Sequence, residues 1–275
     1  MTVWICRACG VEHANTSRPP VRCAICSDER QYVPPQGQLW TSANELTADY
    51  TGAFTELEPD LFALRITPSL GIGQRGLLIR TPAGNVLWEP PGFLDQQMID
   101  AASDLGGIAA IASSHPHLVG ASISWSKAFE GAPVYYGQAD RRWIRRPDDV
   151  IRLWSGAVEV VPGLRMVQCG GHFPGSSVLH WPAGADGRGV LLVGDTMMVN
   201  NDLAHVSFMR SYPNLIPLPE RLVRRIAAAV EPLTFDRIYG AFDGSVIDSG
   251  GADVVRESAR RYIGWIRDEI RDPDE

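Results

Sequence analysis

The chain has 275 residues, enough for one large domain and a small appendage, and 45% hydrophobic residues with 8% aromatics suit an ordinary globular core. Its 25 basic against 32 acidic residues leave a net charge of −7 with no Lys/Arg-rich run, which argues against the electropositive face a phosphate backbone requires and so against a nucleic-acid partner. No window reaches the ~18 apolar residues of a membrane span, and the opening MTVWICRACG has neither a basic start before an apolar stretch nor a small-residue cleavage signal, so no membrane association and a cytoplasmic address are expected.

Residues 1 to about 35 are rich in Cys, Pro and polar residues with little apolar periodicity, which suits a segment held by a metal rather than by a core. Cys6-x-x-Cys9 and Cys23-x-x-Cys26 are thirteen residues apart, and each pair can turn two thiolates toward one ion to complete a tetrahedral set. A structural Zn2+ is the first expectation; iron fits the same geometry in a rubredoxin-like centre. His13, inside the loop, reads as a solvated surface residue, and Cys169 as a lone buried one. Pro34, Pro35 and Gly37 mark the expected hinge, dividing a knuckle over 1–36 from a domain over 37–275.

From Leu61 onward the texture becomes short apolar runs bounded by turn residues: LFALRI, GLLIR and, after Pro82-Ala83-Gly84, NVLWEP. Further strands are predicted at GIAAIAS, APVYY, LRMVQC, SVLHW, GVLLVG and FDRIYG, interleaved with helix-like segments, so the class is mixed α/β with layered sheets. The clearest helical stripes are Leu222, Val223, Ile226, Ala227 and Val230 within 219–230, and Val255, Ala259, Tyr262, Ile263, Ile266 and Ile270 within 253–270. The Pro-rich, aromatic stretch from Val206 to Leu218 suits a loop that covers a pocket.

Three of these strands run out into chemistry. GIAAIAS leads to His115-Pro116-His117, where residues i and i+2 of an extended chain point to one side and Pro116 holds His115 out of the helical region. LRMVQC leads through two glycines to His172, followed by Phe173-Pro174-Gly175, and VLLVG leads to Asp195-Thr196. His180 and His205 stand in apolar contexts and read as structural, and Asp243 before a glycine reads first as a turn residue.

Three strand-end loops presenting ligands in this order resemble the metallo-β-lactamase superfamily, and most nearly its glyoxalase-II-like hydrolase branch, from about residue 50 to the C-terminus. The resemblance implies a four-layer αββα sandwich, with His115, His117 and His172 matching the three-histidine metal site and Asp195 the carboxylate that bridges or supplements it. Where the family's HxHxDH motif has Asp-His, this chain has Val119-Gly120, and where a final histidine closes the second site it reads Ala-Phe-Asp243-Gly. A mononuclear Zn2+ or Fe2+ site is therefore expected. The missing aspartate is the group that orients the attacking hydroxide in the family, leaving Asp195 or Asp243 to substitute. The implied activity is hydrolysis of a small ester, thioester, lactone or amide. The alternatives are a mononuclear non-haem iron dioxygenase acting on a sulfur substrate, and a catalytically decayed binding protein.

Overall fold

The computed structural model describes residues 1–274 and opens with a three-stranded antiparallel sheet, in which β1 (Thr2–Cys6) lies between β2 (Glu12–Thr16) and β3 (Trp40–Thr41). Cys6, Cys9, Cys23 and Ile25 are buried beside this sheet, and Cys23 N donates to the Gln38 side chain. β3 lies past Gly37, so the N-terminal sheet closes across the stretch that the prolines mark as a hinge.

Two larger sheets follow. The first has seven strands laid down in chain order: β4 (Thr51–Glu58), β5 (Leu61–Thr67), β6 (Gly76–Ile79), β7 (Val86–Trp88), β8 (Ala110–Ala112), β9 (Val134–Gly137) and β10 (Ile151–Trp154). Pairing is antiparallel up to β7 and parallel from β7 to β10. The second sheet begins β11 (Ala157–Val161), β12 (Leu164–Gln168), β13 (Ser177–Trp181), β14 (Val190–Leu192). Two small ribbons then intervene, β15 (Met198–Val199) with β16 (Val206–Ser207) and β17 (Met209–Ser211) with β18 (Ile216–Pro217). The sheet ends with β19 (Arg237–Tyr239), parallel to β14, and β20 (Val246–Ile247).

The apolar runs are continuous because both faces of each sheet are covered. Along β6, Leu77 and Ile79 enter the core between the sheets with Leu179, Trp181, Val190 and Leu192, while Leu78 faces outward. That outer face meets the helices Gln96–Asp104 and Ser122–Ala128 through Met98 and Trp125. On the second sheet Val178 and Leu191 face the helices Glu220–Val230 and Gly251–Ile266 through Val223, Ile226, Val255 and Ile263. Each large side chain so buried contributes roughly 1.5–3 kcal/mol. This is the four-layer αββα sandwich, and the three ligand loops leave the ends of β8, β12 and β14. Among the described residues no helix is long and apolar enough to cross a membrane.

Three local expectations need correction. The His115–His117 pair does not lie on an extended strand: β8 ends at Ala112, His115 is extended (φ −164°, ψ 172°), and Pro116 begins a 3-10 turn over Pro116–Leu118. Proline suits that first position because its missing N–H has no partner there. The last helix stops at Ile266 rather than running to Ile270; Asp268 turns left-handed (φ 60°) and the Ile270 side chain folds back toward Gly264. His13 is buried, not solvated: it packs edge-on against Trp40 with Nε2 3.5 Å from Cys23 Sγ.

Candidate metal centres

The two CxxC pairs converge with their sulfurs within 4.8 Å of one another, all unbridged. Cys6–Cys26 and Cys9–Cys23 sulfurs are 3.4 and 3.8 Å apart. Disulfide sulfurs sit ~2.05 Å apart, whereas Zn–S bonds of ~2.3 Å place tetrahedral thiolates about 3.8 Å from one another. The cluster has the dimensions of a thiolate metal site.

The second group is His115, His117 and His172, whose ligand atoms also lie within 4.8 Å of one another. All three residues are buried, and each Nε2 is a buried polar atom without a hydrogen-bond partner. Three such orphans facing one point would be costly unless a cation took their lone pairs. The opposite ring nitrogens fix the tautomers of two of them. His172 Nδ1 faces the Met209 carbonyl at 3.3 Å, and His115 Nδ1 lies 2.9 Å from Ser114 Oγ. Ser114 spends its own proton on Glu89 Oε1 at 2.6 Å, so its oxygen accepts from His115 Nδ1–H and leaves Nε2 bare. Burial pushes His172 down to about 4 and the other two well below their ordinary range, so all three are neutral at pH 7, the form in which imidazole can bind a cation.

Asp195 follows β14 and brings Oδ2 to 3.5 Å from His115 Nε2 and 3.9 Å from His172 Nε2. Burial pushes its carboxyl up to about 7, a shift that a bound cation would reverse. Asp243 is not brought to the histidines. Its carboxylate pairs with Arg65 at 2.7 Å and Arg75 at 3.4 Å, is 57% exposed and is held below the usual range by Arg65, so the geometry gives it a structural part. His180 Nε2 meets the Thr234 carbonyl, and His205 pairs with Asp202, each a local partner.

Sequence reasoning missed four residues here. Tyr212, on the turn between β17 and β18, packs against His172 and donates to the Asp195 carbonyl, so the Val206–Leu218 stretch does cover the site. Glu89 is a fully buried acid at the end of β7; an acidic residue closing an apolar run ahead of Pro90-Pro91 was the available signal. Asp28 and Arg30 arrive from the cysteine segment: Asp28 Oδ1 lies 4.0 Å from His117 Nε2, and Arg30 donates to the His172 carbonyl at 2.9 Å. No local pattern announces contacts spanning more than eighty residues.

Burial raises Glu89 from 4.5 to about 8, so the folded metal-free protein holds this proton more tightly than the unfolded chain does. Its contribution to stability is full below pH 4.5 and is lost as pH rises through about 8. Metal-free Glu89→Gln, which keeps an acceptor for Ser114, should therefore lose less Tm than the wild type between about pH 5 and 8. Parallel Tm–pH curves would remove Glu89 ionisation as the cause.

No family model matches the chain. In sequence it is similar to YmaE of Bacillus subtilis (strain 168), itself uncharacterized, with 44% identity over 273 residues, 98% of this chain and 99% of that protein. In structure it is similar to VMB-1, with a TM-score of 0.58 at 14% identity over 78% of this chain and 98% of that one. A variant of the metallo-beta-lactamase from Cronobacter sakazakii aligns with a TM-score of 0.50 at 17% identity, covering 78% and 97%. At such identities the two structures speak to the fold alone.

Proposed function

We propose that this chain, which has the metallo-β-lactamase fold, is a metal-dependent hydrolase of a small ester, thioester, lactone or amide, working with one ion on His115, His117 and His172. The observation that carries this reading is the set of three buried, unpartnered Nε2 atoms aimed at one point. A divalent ion held there would supply a Lewis acid for the carbonyl and, if it is Zn2+, a water acidified to about pKa 7. The chain's own groups prepare that position. Glu89 and Ser114 orient His115, the Met209 carbonyl orients His172, and Asp195 adds negative charge beside His115. Tyr212 and Phe173 pack against His172 and limit water around it. The four thiols take a structural ion in the same reading, zinc or, on the same geometry, iron.

The test is metal content per chain by plasma emission for the wild type and a His115→Ala/His117→Ala double variant, with both assayed on a panel of chromogenic esters, thioesters and lactones. Two ions in the wild type and one in the variant, with hydrolysis falling to background, is the expected result. Equal metal content in the two proteins would overturn the reading. Sulfite formation from a persulfide by an iron-loaded wild type, with no hydrolysis, would move it to the dioxygenase.

A further inference from the structure

The loop beyond Cys26 reaches the histidine centre and is rigidly held there. Arg30 clamps Asp28 at both oxygens, Nε to Oδ1 at 2.6 Å and Nη2 to Oδ2 at 2.7 Å, and the Arg30 backbone N–H adds a third bond to Oδ1. Arg30 itself is fixed by its bond to the His172 carbonyl and by the Phe173 ring, 3.5 Å beneath its guanidinium. The outcome is a carboxylate oxygen 4.0 Å from the bare His117 Nε2, with its side chain only 12% exposed. Besides Asp195, no other carboxylate among the described residues comes within 4.0 Å of these three Nε2 atoms. Asp195 stands against His115 and His172, Asp28 against His117, and neither lies inside the three-imidazole group. Cys23 and Ile25, on the same loop, share an apolar cluster with Val119, the residue standing where the resemblance places an aspartate.

We infer that Asp28 is the water-orienting carboxylate of the histidine site, supplied by the cysteine knuckle of the same chain rather than by the main fold. The Asp28 carboxylate would accept a hydrogen bond from a water at the site, Oδ2 keeping a lone pair beyond the Arg30 Nη2 bond, while the Arg30 clamp neutralises the pair and keeps the acceptor aimed. The knuckle is then a working wall of the active site, and the order of Cys23 and Cys26 decides whether Asp28 is in place. This inference rests on the proposed ion at His115, His117 and His172.

The test is cobalt(II) reconstitution of the full chain, in which thiolate-to-cobalt charge transfer reports the knuckle and the visible ligand-field bands of a second ion report the histidines. Asp28→Asn should keep the thiolate signal, lower cobalt affinity at the histidines by roughly 10- to 100-fold, as loss of an outer partner does, and shift the ligand-field bands. Asp28→Glu should recover part of the affinity. Asp28→Asn with unchanged bands and an affinity within about twofold of the wild type overturns the inference, the scale of outer-partner effects being far larger. A variant that also loses the thiolate signal overturns it too, by making Asp28 a prop of the knuckle. Wild type that takes cobalt only on the thiolates defeats the histidine-site reading itself.

Discussion

Cys23→Ser is expected to cost the protein its N-terminal fold and, through it, the order of the histidine site. Besides its cysteines the segment itself puts only Ala8, Val11 and Ile25 among the buried residues of this cluster, the rest being Val119 and Tyr136 of the main fold, so an ion on the four thiolates would be the main source of its order. Such sites contribute on the order of 10–16 kcal/mol of binding free energy to folding, and a serine hydroxyl is a far poorer ligand. The damage travels because the segment is pinned to the main fold by polar contacts. The Glu29 carbonyl accepts from Ser211 and Asn214, Glu12 caps the start of the Ser122–Ala128 helix at Ile123 and Ser124, and Arg30 holds the His172 carbonyl. Differential scanning calorimetry and metal analysis should show one ion lost, a drop in Tm of about 10 °C or more at roughly 2–4 °C per kcal/mol, and weakened binding at the histidines. A variant that loses one ion but melts and binds the second as the wild type does would refute the coupling.

The fold was legible where both faces of a strand are buried. GLLIR, SVLHW and GVLLVG read as unbroken apolar runs, and their alternate residues enter the inter-sheet core and the helix-covered faces. The ligand loops were legible for a related reason, because polar and turn residues end those runs abruptly. β4 was not: at a sheet edge its sequence TGAFTELE has no fully buried residue, half of it being exposed, and lacks the apolar signal. The helix Gln96–Asp104 was missed as well, since only Met98 and Ala102 of its nine residues are buried. The largest gap concerns the knuckle. Its metal spacing was readable from four cysteines, but its docking on Val119 and His117 depends on surfaces that form only when both parts have folded. His13 misled for the same reason, its burial coming from Trp40 across the sheet.

Introducing the Asp-His pair of the HxHxDH motif by Val119→Asp/Gly120→His is expected to unfold the site rather than build a second metal position. Gly120 has φ +46°, and a Cβ there would sit 2.0 Å from the Pro90 carbonyl oxygen and 2.8 Å from the Pro91 carbonyl. These are backbone atoms directly after Glu89, whose carboxylate orients Ser114 and His115, so they cannot retreat without moving a ligand. Even Gly120→Ala combines a left-handed residue, about 1–2 kcal/mol, with overpacking of about 1–3 kcal/mol, and histidine is bulkier still. Val119→Asp adds a carboxylate to a cluster of Cys6, Cys9, Cys23, Ile25 and Tyr136, against the knuckle. Gly120 also accepts the Glu12 N–H at its carbonyl, so displacing it loosens the knuckle a second time. Thermal melting of Gly120→Ala should show a loss of about 2–5 kcal/mol on these two counts, and the double variant should retain less metal than the wild type. A folded double variant holding one ion more than the wild type would show that the second position was vacated by substitution alone, and that the knuckle does not fill its place.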